Sequence, residues 1–427
     1  MRHSNGSHVA AALLLAALVA ACAATNLPPI STAGSAFKPF PDEQELWEQS
    51  RHEEEALVEH APMYSDPQLE SYLDRIVTRL NPPGMAANPA VRFRVRVIED
   101  PTLNAFAFAN GGIFVHTGLL ARLENEDQIA TVLGHEMTHV ENRHMLRFQR
   151  SAHNKEVAFR VASVAVIAVG NIKGLEVARH GDFGKGAAIA VLSDVVGTLG
   201  LRLAQVAAVN GYGRSLETEA DQGGFAKMAA AGYDLRQAPR VYEVLLDDHK
   251  EPRKVEAFFF GNHPLLTERI ANSKQYLAAH PVAAPPQPAA GNAEFARLQP
   301  PLVREDARLN IYFGRYVMAA AELDRARAAM PKDWETRYLT GQLKFAQIDD
   351  GQSTETQNKL LAEATGEFRE AVKLDPNRPL PHRALGLVLL SKEERKGGCS
   401  ELRRYLKLAP QGKDNEKIHG LVAANCR

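Results

Sequence analysis

In the run GHEMTHVENRH, residues 134 to 144, His135 and His139 stand four apart with Glu136 beside the first, in the order H-E-x-x-H. No other feature of the chain restricts its fold as tightly. On an α-helix this spacing sets both imidazoles on one face, about one turn apart. Two neutral imidazoles so placed can share one Zn²⁺. Glu136 can then reach a water at the ion, whose pKa zinc lowers to about 7, and take its proton as the water attacks a peptide carbonyl. A third ligand must be brought from elsewhere. The pattern that would supply it from the same segment needs Gly at 142 and His at 145, and the chain has Asn142 and Met145. His144 lies five residues beyond His139, off the shared face, and His116 stands alone; both read as structural.

The 427 residues suffice for two or three domains. A net charge of −1 gives no electrostatic reason to expect nucleic acid as a partner, and three cysteines are too few for a disulfide-built scaffold. Residues 9–21 are an apolar run following Arg2, His3 and His8. The run is too short to span a bilayer and suits a signal peptide. It ends in Val19-Ala20-Ala21-Cys22, which resembles a bacterial lipobox and makes Cys22 the expected lipidation site. Ala23 points, by the same sorting pattern, to the periplasmic side of the outer membrane. Residues 22–42, rich in Ala, Pro, Ser and Thr, read as a tether.

From 43 onward the pattern is helical to about residue 80, with Asp66-Pro67 as a helix start. FRVRVIED (93–100) alternates as a strand should, and in NAFAFANGGIFVHTGLL (104–120) Gly111-Gly112 mark a tight turn before a second strand, Ile113 to His116. That strand feeds the zinc helix and is expected to offer a free edge to an extended substrate. Further on, LETEAD places Glu217 and Asp221 one helical turn apart on one face, with Glu219 pointing away. Either carboxylate could bind zinc while the other accepts the second N–H of a ligating histidine.

ENEDQIATVLGHEMTHVENRH, the later E-x-x-A-D of Glu217 to Asp221 with Arg214 before it, and the NAFAFANGG run together resemble the M48 metallopeptidases. These are gluzincins related to HtpX and the CAAX proteases, and the likeness is greatest to periplasmic BepA-type members with a C-terminal repeat domain. The resemblance implies one Zn²⁺ held by His135, His139 and Glu217, with Glu136 as general base and Asp221 and Arg214 supporting the ligands. It also maps His263 and Arg269 in NHPLLTERI to catalytic positions: His263 or Arg269 would steady the oxyanion, or His263 would occupy the open zinc position as a latch. Between the motifs, residues 151–210 carry apolar but interrupted runs, read as buried or interfacial helices and a lid over the cleft.

Residues 280–300 read as a Pro/Ala-rich linker and 301–427 as tetratricopeptide-like helix pairs. Pro331, Pro376 and Pro410 close similar tails, the last two 34 apart, and Gly341, Gly386 and Gly420 each follow ten residues later. The first interval has an 11-residue excess, expected around 349–359. Cys399 and Cys426 fall at the same end of antiparallel helices and are expected to pair.

The expected fold is thus α+β: a mostly helical zincin-like domain (43–279) with a small sheet, then an all-α repeat domain. The expected function is a zinc endopeptidase acting on misfolded or stalled outer-membrane proteins, lipid-anchored, with the repeats docking the assembly machinery. A chaperone or assembly adaptor whose protease is latent is the alternative. An enzyme of prenylated peptides lacks the chamber of membrane-spanning helices it would need.

Overall fold

The computed structural model describes residues 24–88, 90–155, 199, 201–206, 212–248, 266–281 and 291–426. Cys22, His263 and nearly all of the 151–210 insert lie outside the described residues. The chain divides into two compact units, one running to Asn292 and one from Ala293, the second also taking Glu99–Pro101 and Leu120–Arg122. The fold is α+β and mostly helical. Among the described residues no helix is long and apolar enough to cross a membrane.

In the first unit, α1 (Pro41–His60) and α2 (Pro67–Leu80) precede the sheet. The Asp66 side chain accepts from the backbone N–H groups of Gln68 and Leu69 and so caps α2, while Pro67 takes the first turn, where no N–H is needed. Leu69, Leu73, Ile76 and Leu80 form its buried stripe. The expected tether is packed over its described part, 24–42. Leu27 and Ile30 are buried, and Arg150 Nη1 donates to the carbonyl of Ala24 at 2.9 Å. A composition rich in small residues concealed four large apolar side chains, Leu27, Ile30, Phe37 and Phe40, of which the first two enter the core.

The sheet has β1 (Arg94–Ile98), β2 (Ala105–Ala107) and β3 (Gly112–His116) in the order β1-β3-β2. β3 runs parallel to β1 and antiparallel to β2, with Phe106 opposite Phe114 and the two rings stacked at 5.3 Å. Gly111 turns the β2–β3 hairpin at φ +94°, and a Cβ there would meet the Arg92 carbonyl at 2.7 Å. Paired on both sides, β3 cannot be the free edge expected of Ile113 to His116. Its partner β2, which packs on the helix of His135 and His139, takes that place. His116 N donates to Asn104 O and Phe108 N to Gly112 O, so by antiparallel alternation the backbone of Ala105 and Ala107 turns away from β3.

The helix that carries His135 and His139 is α3 (Glu126–Glu141), capped by Asn125 with Glu126 and Asp127 in its first turn. It ends because Arg143 takes φ +60°. A left-handed residue other than glycine costs about 1–3 kcal/mol. Arg143 Nε donates to Glu43 Oε1 at 2.8 Å and Nη2 to Oε2 at 2.5 Å. Its guanidinium also lies over the rings of Phe37 and Phe40, so the packed N-terminal arm holds the break. Residues 144–155 are helical again. α4 (Arg214–Ala230), α5 (Gln237–Asp248) and α6 (Leu266–Ala279) are the longer helices that follow in this unit.

The second unit contains α7 (Asn292–Tyr312), α8 (Tyr316–Ala329), α9 (Trp334–Ala346), α10 (Thr354–Leu374), α11 (Pro379–Ser391), α12 (Arg395–Leu408) and α13 (Asn415–Asn425). The linker expected over 280–300 is helical from Asn292, because Phe295, Leu298 and Leu302 give α7 a buried stripe that tolerates Pro300 and Pro301. α9 pairs with α10 and α11 with α12. At Gly341 a Cβ would strike Phe368 at 2.5 Å, and at Gly386 it would strike Leu402 at 2.7 Å, so each pair closes on a glycine. Gly420 has nothing within 4 Å. The excess expected around 349–359 is shared between a longer turn, 347–353 against 392–394, and a second helix of 21 rather than 14 residues. Cys399 and Cys426 form a disulfide, Cα atoms 5.6 Å apart.

Candidate metal centre

α3 and α4 meet on glycine. A Cβ at Gly224 would lie 2.9 Å from His135 N, and one at Gly223 would lie 2.4 Å from Thr138 Cγ2. With no side chain between them the two backbones touch, and the first turn of α4 carries Glu217 over the histidines of α3. His135 Nε2 and His139 Nε2 are 2.9 Å apart, and Glu217 Oε2 lies 3.4 Å from the first and 3.8 Å from the second. All three side chains are buried, and their ligand atoms fall within 4.8 Å of one another. Tetrahedral zinc, with bonds of about 2.0–2.1 Å, sets ligand atoms roughly 3.3 Å apart. The observed separations bracket that value, and two imidazoles with one carboxylate are a donor set zinc accepts. The residues fit the ion.

Each histidine is supported from behind. His135 Nδ1 is 2.8 Å from Asp221 Oδ1, which fixes the ring with Nε2 turned toward Glu217. Tyr242 donates its hydroxyl to the same oxygen at 2.8 Å, and Arg269 donates from Nε to Asp221 Oδ2 at 3.0 Å and from Nη2 to Oδ1 at 2.5 Å. Burial raises the Asp221 carboxyl, but Arg269 and His135 outweigh it and hold it at about 2. Burial and Arg269 both lower His135, and its contacts with Asp221 and Glu217 outweigh them, raising it to about 9. Arg269 therefore lies behind His135, 3.2 Å from Nδ1 and stacked over Tyr242. This corrects its expected oxyanion role, since Nδ1 is on the opposite edge of the ring from the ligand atom.

His139 Nδ1 lies 2.8 Å from His144 Nδ1, and His144 Nε2 faces Glu219 Oε1 at 3.5 Å. Asn142 and Arg147 also donate to Glu219, at 2.8 and 2.9 Å. The His144 contact first, and Arg147 after it, bring Glu219 down to about 2 against the opposing effect of burial. Tyr212 packs its ring on His139 at 4.6 Å, and burial keeps its phenol protonated, well above the usual tyrosine range. Glu136 is buried beside the ligands, and burial lifts its carboxyl to about 7, suited to a general base near neutral pH.

Arg214 does not support the ligands as expected. It opens α4, is exposed, and lies 3.7 Å from Glu268. His116 is buried at the end of β3 against Thr102 and is no part of the site. The contacts of His144 and Glu219 escaped the helical reading because it placed His144 by unbroken helical spacing from His139. The clue was Asn142-Arg143, and for the helix crossing it was Gly134 with Gly223-Gly224.

Residues 67–277 match the model of peptidase family M48. A Vibrio cholerae protein described as a beta-barrel assembly-enhancing protease is 28% identical over 228 residues, covering 53% of this chain and 42% of the relative. The beta-barrel assembly-enhancing protease of Escherichia coli is 26% identical over 215 residues, 50% of this chain and 40% of its own length. The mitochondrial metalloendopeptidase OMA1 of Arabidopsis thaliana is 30% identical over 155 residues, 36% of this chain and 26% of the relative. The chain spans about two fifths of the length of the beta-barrel assembly-enhancing proteases it matches.

Proposed function

The chain carries a peptidase family M48 domain over residues 67–277, and on that premise we propose that it is a zinc-dependent endopeptidase. The observation that carries the proposal is the convergence of His135, His139 and Glu217 beside a Glu136 carboxyl lifted to about 7. Bound there, zinc would supply a Lewis acid that polarises a peptide carbonyl and acidifies a water. Glu136 takes the proton from the attacking water and passes it to the leaving amine. With the metal held there His135 and His139 would be neutral ligands, His135 giving up the second proton that Asp221 and Glu217 otherwise hold on it at neutral pH, and each would keep its remaining N–H directed at its support. An extended substrate adds alongside β2, on the backbone groups of Ala105 and Ala107.

The relatives' names make protein substrates of the outer-membrane assembly pathway the natural proposal, with the paired helices after Asn292 as a tetratricopeptide-like docking domain. The lipobox-like run ending at Cys22 supports anchoring on the periplasmic side of the outer membrane. The alternative, a chaperone or adaptor with a latent protease, draws on the depth of the site: His135, Glu136 and His139 are each 4% exposed and Glu217 is fully buried.

Metal analysis combined with casein digestion tests this. The wild type should hold one zinc per chain and cleave casein. Glu136→Gln should keep the zinc and lose about 10²–10⁴-fold in rate. Absence of stoichiometric zinc from the wild type would refute the proposal, and zinc without cleavage would favour the latent reading.

A further inference from the structure

The geometry points to His144 and Glu219 as a two-residue relay that positions the second zinc histidine, His139; this rests on the proposed zinc site. When His139 offers Nε2 to a metal, its proton must sit on Nδ1. Nδ1 is 2.8 Å from His144 Nδ1, which must then accept. The His144 proton is thereby assigned to Nε2, the atom facing Glu219 Oε1 at 3.5 Å. Three proton positions follow from one another, and the chain ends on a carboxylate fixed by Asn142 and Arg147.

The two ligand histidines are therefore supported differently. His135 leans on Asp221 directly, within an ion pair to Arg269. His139 meets a second imidazole, His144, which is fully buried and in turn faces the Glu219 carboxylate. The left-handed turn at Arg143 makes this possible. In a continuous helix a residue five positions on points about 140° away; the break at φ +60° returns His144 to the ring of His139, at a centroid distance of 4.8 Å. His144 and Glu219 touch no reacting atom in this arrangement and are positioning residues.

The test measures zinc affinity by chelator competition, and the visible spectrum of the Co²⁺-substituted protein, in the full chain. Glu219→Gln and His144→Phe should each weaken zinc by about 10- to 100-fold, the range for residues that support a ligand from behind. Each should also alter the Co²⁺ spectrum, and the double variant should be no weaker than the worse single one, because both interrupt one chain. Glu219→Asp should recover part of the affinity. Should His144→Phe fail to fold, the half-exposed Glu219 decides the matter alone. Wild-type affinity and an unchanged spectrum in Glu219→Gln, or strictly additive losses in the double variant, would overturn the relay. A wild type that binds no zinc would instead refute the enzyme reading beneath it.

Discussion

Arg269 sits 3% exposed between Asp221, His135 and Tyr242, and its chemistry follows from that enclosure. Removing one partner of a buried ion pair leaves the other charge uncompensated, at about 3–5 kcal/mol. Arg269→Ala should therefore lower the urea-unfolding stability of the first unit by about 3 kcal/mol and weaken zinc binding at the proposed site. If Arg269 instead steadied an oxyanion, stability and metal content would stay near wild type while turnover alone fell. The same lesson applies at Arg214. A position three residues before a ligand does not make a support, because the first turn of α4 leaves this side chain in solvent.

Among the elements, the crossing of α3 and α4 decides whether a site exists. Gly224→Ala places a methyl 2.9 Å from the backbone N of His135; the helices must part, at about 1–3 kcal/mol. Zinc content should fall with that stability, and a variant with full zinc would show that the crossing is looser than drawn. In the second unit, Asp333 caps α9 by accepting from Thr336 N at 2.9 Å and from Arg304 at 3.0 Å. Burial raises its carboxyl, and Thr336 and Arg304 outweigh burial and hold it below the usual carboxylate range. A carboxylate depressed by folding stabilises above its unfolded pKa, and the contribution is lost as pH falls below about 4 toward the folded value. Asp333→Asn keeps a capping oxygen but should remove that acid sensitivity, and Asp333→Ala should cost about 1 kcal/mol near neutral pH. Circular dichroism between pH 2 and 7 would register both; identical acid profiles would sink the assignment.

For the molecule as a whole, the two units have separate cores, one around Leu57, Phe106 and Phe114, the other around Leu339, Phe368 and Leu385. The proposed zinc site and the disulfide belong to different units. Chelation should lower the stability of the first, by about 4 kcal/mol if free zinc exceeds its dissociation constant a thousandfold. Replacing Cys399 and Cys426 by serine releases a 27-residue closure in the second, worth about 3.5 kcal/mol on the loop-entropy account. Zinc content should not change in the serine variant. Thermal melts with chelator and with reductant separate the two effects, and a drop in bound zinc on reduction would contradict the division.

By itself the sequence determined the placing of His135 and His139 on one face of α3, the α+β class and the helical nature of the C-terminal unit. Each is encoded in short-range spacing: four residues between histidines, alternation in FRVRV, and recurring proline and glycine. The tertiary structure decided which residues stand behind the ligands. His144 is brought to His139 by a backbone break at Arg143, and that break is held by Glu43, a hundred positions earlier. β2 rather than β3 became the edge strand because β1 took the other side of β3. Local periodicity cannot encode either outcome, since both depend on which distant segment fills the space next to a turn or a strand.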